Sequence, residues 1–245
     1  MNQPLGGVVK KVVAAVCVLG VGPTSGIASA DHPLEPPAVA TTFEVGAGPL
    51  SDVATDSSTH RAYVTSQNDD SLYVVDTESR TVTATIEVGE RPGKMGADPT
   101  NGLLYVSNRG AASVSVVDPA KSAVVETIAV GRNPNDVALD PPTRTAFVPN
   151  TDDDSVSVLD LDTRAVIQTI PVGSQPSAAT VDSDAHTVYV PNHGAASVSV
   201  IDSDKRVVND TVEVGDGPQT VAADPSTHTE WVVNYRANSI SVLER

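Results

Sequence analysis

The sequence predicts an all-β fold, a five-bladed β-propeller built from four-stranded blades. Three features of the 245-residue chain lead to this prediction. A period of 42 residues runs through most of the chain, each period contains four short strand patterns, and an N-terminal segment repeats the pattern of a fourth strand. Four strands in a unit of this length are typical of a propeller blade. We therefore expect a single propeller domain over residues 39–245.

Aromatic residues mark the period most clearly. Serines from Ser71 to Ser239 and aspartates from Asp56 to Asp224 keep the same spacing at other points of the repeat. Because most of the aromatic residues occupy one repeat position, we interpret them as part of the scaffold. The five aromatic positions are Tyr63, Tyr105, Phe147, Tyr189 and Trp231, and the predicted repeats span about 46–88, 89–130, 131–172, 173–214 and 215–245.

Each repeat contains four strand patterns separated by turn residues. A small apolar stretch such as 137–140 ends in aspartate, whose side chain caps nearby backbone in turns. An aromatic strand such as 105–108 follows, and then an alternating Ser-Val strand such as 113–117. The fourth strand, 124–130 in the second repeat, ends at Gly131, and glycine adopts backbone conformations that other residues resist. β-branched residues with period-two alternation favour strands throughout.

The N-terminal strand is expected to close the ring. Residues 39–45 match the fourth-strand pattern of residues 82–88, and the last repeat contains only three strand patterns of its own. We therefore expect residues 39–45 to pair with residues 240–244 and complete the last blade. Closure of this kind removes exposed sheet edges.

The first thirty residues have the pattern of a secretory signal peptide. Lys10 and Lys11 precede an apolar run over 12–21, and small residues follow at 28–30. Cleavage after Ala30 would leave 31–38 as a linker and remove Cys17, the only cysteine. The apolar run is shorter than the ~20 residues that span a bilayer, so we expect no membrane span in the mature chain. The predicted location is extracytoplasmic, in the periplasm, at the cell surface or secreted; the alternative is an uncleaved N-terminal anchor.

The composition disfavours two classes of partner. The formal net charge is −16, and aromatic residues are 3% of the chain. An acidic chain is a poor ligand for nucleic acid or an anionic membrane, and single-stranded bases need aromatic stacking platforms. We therefore expect a monomer that binds a protein or a small anionic ligand and no nucleic acid.

Several motifs resemble those of the YVTN family of β-propeller repeat proteins, of the YncE-like kind. The sequences Tyr-Val-Ser-Asn at 105–108 and Tyr-Val-Pro-Asn at 189–192, with the Ser-Val-Ser-Val strands, are similar to that family over residues 39–245. Ser66 replaces the motif asparagine in the first repeat, and Trp231 begins the motif in the last. The resemblance implies a secreted or cell-surface propeller, often of seven blades, usually without an assigned reaction and without shared catalytic residues.

One face of the predicted propeller collects basic residues. It is the face with the loops between second and third strands and between blades, which often binds ligands in propellers. Arginine offers paired donors for carboxylate or phosphate, so an anion site is one interpretation and solvated loops are the other. For an anion site we expect the guanidinium groups of Arg109 and Arg132 to converge. The candidate residues are Arg91, Lys94, Arg109, Arg132, His193 and Arg236.

Acidic and imidazole clusters are weaker candidates for metal binding. Asp152, Asp153 and Asp154 share one loop, and 68–70 form the corresponding loop of the first repeat. Clustered carboxylates suit Ca²⁺, but the rest of a calcium-loop pattern is missing, so solvated loops are favoured and no cofactor is predicted. On the opposite face one repeat position is filled by His60, His186 and His228, with Gly102 and Arg144 in the remaining blades. This variety favours a turn position over a metal site.

The function predicted from these features is a non-catalytic binding scaffold with rigid blades and variable loops. One alternative is a propeller hydrolase, lactonase-like or a glycoside hydrolase. Such an enzyme would use carboxylates between blades, for which the sequence offers Asp52, Asp136 and Asp216. Another alternative is a structural cell-surface protein.

Overall fold

The computed structural model describes residues 38–224 and 226–244. Nineteen strands form four four-stranded sheets and one three-stranded sheet, and no helix occurs among these residues. Within each sheet, each strand pairs antiparallel with the next along the chain, the arrangement that short turns allow. The predicted all-β architecture of five repeated sheets is confirmed, and each sheet corresponds to one blade.

The strands follow the repeat closely, and blades 1 to 4 each have four of them. Blade 5 contains only β17, β18 and β19, and the first strands of blades 3 and 4 are short. The bounds are β1 Leu50–Asp56, β2 Arg61–Ser66, β3 Ser71–Asp76, β4 Thr81–Glu87, β5 Pro92–Ala97, β6 Leu104–Asn108, β7 Ser113–Asp118, β8 Ala123–Ala129, β9 Ala138–Asp140, β10 Thr145–Asn150, β11 Ser155–Asp160, β12 Ala165–Pro171, β13 Thr180–Asp182, β14 Thr187–Asn192, β15 Ser197–Asp202, β16 Val207–Glu213, β17 Pro218–Asp224, β18 Thr229–Asn234 and β19 Ser239–Leu243.

The apolar core lies between consecutive blades. Four clusters of buried side chains join blade 1 to 2, 2 to 3, 3 to 4 and 4 to 5. Tyr105 and Phe147, on the second strands of blades 2 and 3, are 0% exposed. Burial of a large apolar side chain contributes roughly 1.5–3 kcal/mol, so the aromatic repeat position supports the stacking of each blade on the next.

A polar network inside each of blades 2 to 5 explains the repeated asparagine and serines. The Nδ2 of Asn150 donates to the Oγ of Ser155 and Ser157 at 3.1 and 2.9 Å. The same pair of bonds is made by the asparagines at 108, 192 and 234. Glycine packs directly on this side chain, because a Cβ on Gly131 would lie 2.6 Å from the Asn150 Cγ. Glycine therefore follows valine at the end of each unit, because a side chain at the glycine position would overlap the asparagine.

Turns between strands reuse a left-handed backbone conformation. Positive φ recurs at equivalent points of the blades, including four positions in the between-blade loops that lead into the first strands of blades 2 to 5. For non-glycine residues this conformation costs roughly 1–2 kcal/mol. We call the first strand of each blade its innermost strand. The four between-blade positions are Arg91, Asn133, Gln175 and Gly217, with φ of 52°, 53°, 54° and 64°.

The strand predicted to close the ring is not formed, which corrects that part of the sequence prediction. Residues 38–45 form no strand, and β19 pairs only with β18. The N–H of Ala47 donates to Asp69 Oδ2 at 2.8 Å, as the N–H of Arg132 does to Asp153 Oδ2 in blade 3, where the preceding segment is a paired fourth strand. The physical reason for the missing strand is instead that blade 5 does not pack against blade 1. Among the described residues, no apolar cluster joins blade 5 to blade 1. Within the described ranges, the edge of β19 therefore has no strand beside it.

The predicted signal peptide, its cleavage site and Cys17 lie outside the described residues. The predicted linker over 31–38 does so as well, except for its last residue. In the part of the chain that is described, no helix is long and apolar enough to cross a membrane.

Candidate functional site

The candidate site lies on the upper face, which we define as the face with the loops between second and third strands and the loops between blades. The backbone fixes these loops against each other within each blade. In blade 2 the N–H of Arg109 donates to the carbonyl of Arg91 at 3.0 Å, and Gly110 donates to Glu90 at 2.9 Å. Because the two loops are joined by backbone bonds, Arg91 and Arg109 are held as neighbours.

Arg109 is the most distinctive cation of the upper face. It is partly buried, and its Nε donates to Asn133 Oδ1, on the next blade, at 3.2 Å. Its side chain passes over Gly93, where an added Cβ would lie 3.3 Å from Arg109 Cδ. Burial and the positive charge of Arg91 lower the pKa of Arg109, and Asp152 partly opposes them. Within the described residues, no carboxylate oxygen lies within 4.0 Å of this guanidinium.

Arg132 is committed to the acidic loop of its own blade. Its Nε donates to Asp153 Oδ1 at 2.6 Å, and its Nη2 donates to the carbonyl of Asp152 at 2.7 Å. The bonds with Arg132 lower the pKa of Asp153, those with Asp153 raise the pKa of Arg132, and the pair is exposed. The structure thus brings Arg109 and Arg132 to adjacent loops, yet places only Arg109 without a carboxylate partner.

Lys94 lies close to two of the carboxylates that the hydrolase alternative requires and bonds one of them. Asp52, Lys94 and Asp136 occupy the same repeat position near the start of the innermost strand in blades 1, 2 and 3. Lys94 Nζ lies 2.9 Å from Asp136 Oδ2, and Asp52 Oδ2 accepts the N–H of Met95 at 3.0 Å. Burial raises the pKa of Asp52, Asp136 adds to the rise, and backbone N–H groups and Lys94 oppose it. Asp52, Lys94 and Asp136 thus form a row of mixed charge. The sequence analysis placed Lys94 in the anion site and the two aspartates in the hydrolase alternative.

The remaining residues of the predicted upper-face set stand apart from Arg109. His193 is on blade 4, where its N–H donates to the carbonyl of Gln175 at 2.9 Å. Arg236 is on blade 5 and lies 3.9 Å from Asp216, the third carboxylate of the hydrolase alternative, and both side chains are exposed. Within 38–224 and 226–244, no hydrogen bond or ion pair joins either residue to Arg109. The upper-face site is therefore centred on blades 2 and 3.

The acidic loop of blade 3 is occupied by hydrogen bonds of the protein itself. Asp152 Oδ1 accepts from Asn133 Nδ2 at 3.2 Å, and Asp154 Oδ1 accepts from the N–H of Gln175 at 2.8 Å. Together with the Arg132 contact of Asp153, these bonds use a carboxylate oxygen of all three aspartates. In the described part of the chain, no group of three His, Cys, Asp or Glu side chains is arranged to hold a metal ion.

Each predicted histidine of the lower face, the face opposite to the site, pairs with a carboxylate. His60 lies 3.6 Å from Glu78, His186 lies 3.2 Å from Asp204, and His228 lies 2.9 Å from the buried Asp182. All three have positive φ, as do Gly102 and Arg144 at the same position. This is the geometry of a repeated turn.

Arg144 makes a contact between blades that the sequence analysis missed. Its Nη1 donates to Asp98 Oδ2, a fully buried carboxylate of the preceding blade, at 2.8 Å, and its Nη2 bonds Asp162 at 2.9 Å. His228 of blade 5 bonds Asp182 of blade 4, and these two residues occupy the same repeat positions as Arg144 and Asp98. The signal that could have found these pairs is the spacing of 46 residues between the two partners.

The turn aspartates predict a dependence of stability on acid. Hydrogen bonds from the Lys205 side chain and N–H lower the pKa of Asp202 to about 2, against about 3.9 in an unfolded chain. Because the folded pKa is depressed, this stabilisation is present above about pH 4 and is lost as pH falls toward 2. Bonds within the turns also lower the pKa of Asp56, Asp76, Asp118, Asp160 and Asp224.

We expect the melting temperature, followed by circular dichroism, to fall steadily through this acid range. Asp202→Asn should flatten the fall, because one titrating carboxylate is removed. Glu126→Gln, at an exposed strand position, is the matched control and should leave the profile unchanged. A melting temperature independent of pH below 4 would contradict the assignment.

Comparison with known proteins identifies the repeat. A family model described as YNCE-like beta-propeller matches residues 38–228, more than half of the chain. Among solved structures, the hydrazine synthase of Kuenenia stuttgartiensis is similar, with a TM-score of 0.71 and 21% identity over 80% of this chain. The match covers 58% of that protein's chain, so this chain spans less than two thirds of its length. At this identity the likeness concerns the fold alone. A search among curated proteins gives no match.

Proposed function

This chain belongs to the YNCE-like β-propeller family, and from that premise we propose that it is an extracytoplasmic, non-catalytic scaffold. In this proposal its upper face binds an anionic group, a carboxylate or phosphate, of a small ligand or of a partner protein. Arg109 is the primary contact, with Arg91 beside it.

The observation that supports the proposal most directly is the state of the Arg109 guanidinium. A partly buried cation is normally paired, because removing a charge from water costs several kcal/mol. Here the side chain is partly buried, its Nε bonds only a neutral amide, and Arg91 stands beside it. An anion bound to these donors would offset both the desolvation and the repulsion between the two guanidinium groups.

The other charges of the upper face also favour Arg109 and Arg91 as the place where an anion binds. Lys94 and Arg132 are balanced by Asp136 and Asp153, so their charges are largely neutralised locally. The chain as a whole has a formal net charge of −16.

Near Arg109 and Arg91, Asp152 accepts from Asn133 Nδ2 and Asp70 accepts the N–H of Arg91. Among the described residues, neither carboxylate pairs with a guanidinium group, so both guanidinium groups keep donors for an anion.

The contacts of the inner carboxylates favour binding over hydrolysis. A glycoside hydrolase needs two carboxyl groups that face one bond from opposite sides. Burial raises the pKa of Asp52, as a general acid would require. However, Lys94 is bonded to Asp136 at 2.9 Å, and Asp216 is on blade 5 beside Arg236. Asp136 is thus paired with a cation and Asp216 is on another blade, and both contacts favour binding over hydrolysis.

The extracytoplasmic location rests on the N-terminal sequence. Two lysines, an apolar run and small residues stand in the order of a secretory signal. Mass spectrometry of the secreted or envelope fraction tests it, and a mature N-terminus near Asp31 is the expected result. An intact N-terminus in the cytoplasmic fraction would overturn this part of the proposal.

The binding proposal is tested by calorimetric titration of the protein with citrate and with inorganic phosphate. We expect Arg109→Gln to weaken binding by roughly tenfold or more, because a hydrogen bond to a charged group contributes about 1.5–3 kcal/mol. Arg80→Gln, which removes an exposed charge from a lower-face turn, is the matched control and should bind like the unaltered protein. Binding should also weaken as salt is added.

Two outcomes would overturn the proposal. Equal losses in Arg109→Gln and Arg80→Gln would show that only net charge matters. Failure of both anions to bind the unaltered protein would reject an upper-face anion site. Thermal unfolding of each variant checks that the fold is retained.

A further inference from the structure

Blade 5 ends in an apolar face that no other blade covers. Trp231, Ile240 and Val242 are 50%, 62% and 44% exposed. At the same repeat positions in blade 3, Phe147 and Val156 are buried completely beneath blade 4. The side chains of this face therefore have the chemistry of an interface between blades without the neighbouring blade.

A cavity marks the place of the missing fourth strand. It has a volume of about 370 Å³ and lies between β16 of blade 4 and β19 of blade 5. Its walls include the apolar side chains of Val212, Val214, Val242 and Leu243. In blades 1 to 4 a fourth strand pairs with the third, so this space and the free edge of β19 together fit one β-strand with an apolar side chain directed inward.

The chain contains one segment with the sequence of that strand. Residues 39–45 repeat the fourth-strand pattern and form no strand in the structure. Phe43 falls at the repeat position of Ile86, Ile128 and Ile170, which are 3%, 5% and 3% exposed, whereas Phe43 itself is 44% exposed. Its side chain thus occupies a position that is buried wherever the strand is paired.

The segment and the edge it fits are at opposite ends of the row of blades. Ala47, which follows the segment, bonds Asp69 of blade 1, and among the described residues no apolar cluster joins blade 1 to blade 5. The outer face of blade 1 is also uncovered: Val53 is 41% exposed, whereas its counterparts Val137 and Val221 are 3% and 5% exposed. One molecule therefore presents a blade-5 face at one end, and a blade-1 face with a free strand at the other.

We propose that a second copy of this chain completes blade 5. Its residues 39–45 add to the edge of β19 as the fourth strand, and the face of its blade 1 packs on Trp231, Ile240 and Val242. Addition of a strand to a free edge supplies main-chain hydrogen bonds and a pocket for alternate side chains. The contact repeats the interface that joins each blade to the next within one chain. It is heterologous, so it propagates until a ring closes. The sequence analysis expects a monomer instead, and the experiments below distinguish the two.

The first test is sedimentation equilibrium over a wide range of protein concentration. We expect the average mass to rise with concentration, and Phe43→Ser to weaken the association at least tenfold. Val166→Ser, at an exposed position on the outer strand of blade 3, is the matched control and should associate normally. Because Phe43 is exposed in the single chain, its replacement leaves the fold intact, which circular dichroism checks. A monomer at every concentration, or equal effects of the two variants, overturns the proposal.

The second test identifies which molecule provides the strand. The register of β3 with β4 pairs Val74 with Ala84, so the same register pairs Val242 with Thr41. In the full chain with Cys17→Ser, proteins with Thr41→Cys and with Val242→Cys are mixed and oxidised. A disulfide between the two proteins is the expected result. A disulfide within one chain in the double variant, with none between mixed single variants, shows closure of the chain on itself and overturns the proposal.

Discussion

Replacement of Phe147 by alanine should lower the free energy of unfolding by roughly 3–5 kcal/mol. The ring is fully buried in the apolar cluster between blades 3 and 4. Truncation removes its contacts with both sheets and leaves a cavity that the strands cannot fill by moving. Urea denaturation followed by circular dichroism measures the change, and an unaltered slope with denaturant would show that the folded and unfolded states remain comparable.

Trp231→Ala is the matched control, because Trp231 occupies the same repeat position in blade 5. Its side chain is 50% exposed, so at dilutions where copies do not associate its removal should cost less than about 1 kcal/mol. The difference between the two variants measures what a covering blade contributes. Equal costs at high dilution would contradict the open end of blade 5.

Replacement of Arg144 by methionine should also destabilise the protein by roughly 3–5 kcal/mol, because it leaves the buried carboxylate of Asp98 without its cation. The side chain of Asp98 is 0% exposed, and Arg144 Nη1 lies 2.8 Å away. Thermal and urea unfolding report the loss. The double variant Arg144→Met with Asp98→Asn should recover part of it, since the unpaired charge is then gone.

An exposed ion pair provides the comparison for Arg144. Arg132 is 70% exposed in its contact with Asp153, and exposed pairs contribute about 0–1 kcal/mol. Arg132→Met should therefore unfold almost like the unaltered protein. A loss as large as that of Arg144→Met would mean that the acidic loop supports the fold, and a small loss in both variants would show that Asp98 is solvated after Arg144 is removed.

The repeat predicted strand positions well because its signal is redundant. Residues 105–108 and 113–117 were expected as strands and lie within β6 and β7. The aromatic position was expected to serve the scaffold, and it is buried in blades 1 to 4 but half exposed at Trp231. Periodicity shows which residues are equivalent but not whether a neighbouring blade is present. For the same reason it predicted a closing strand at 39–45 that the structure does not form.

The site was harder to predict because loop side chains differ from blade to blade. The period placed Arg109 and Arg132 on one face, but the direction of each guanidinium depends on local partners, and Asp153 is a partner of Arg132 alone. The row of Asp52, Lys94 and Asp136 was divided between two hypotheses, although the three residues share one repeat position. Comparison of equivalent positions across blades, rather than of residue types, would have shown the row.

The left-handed residues before the innermost strands have a consequence for evolution. Arg91, Asn133, Gln175 and Gly217 differ completely in chemistry, yet their φ angles lie between 52° and 64°. Residues of different size and charge therefore adopt the same backbone course at these positions. Mutations there can change what each blade presents to a ligand while the sheets beneath keep their pairing. Ligand specificity in such a repeat can therefore change one blade at a time through single substitutions. Each intermediate variant along that path still folds.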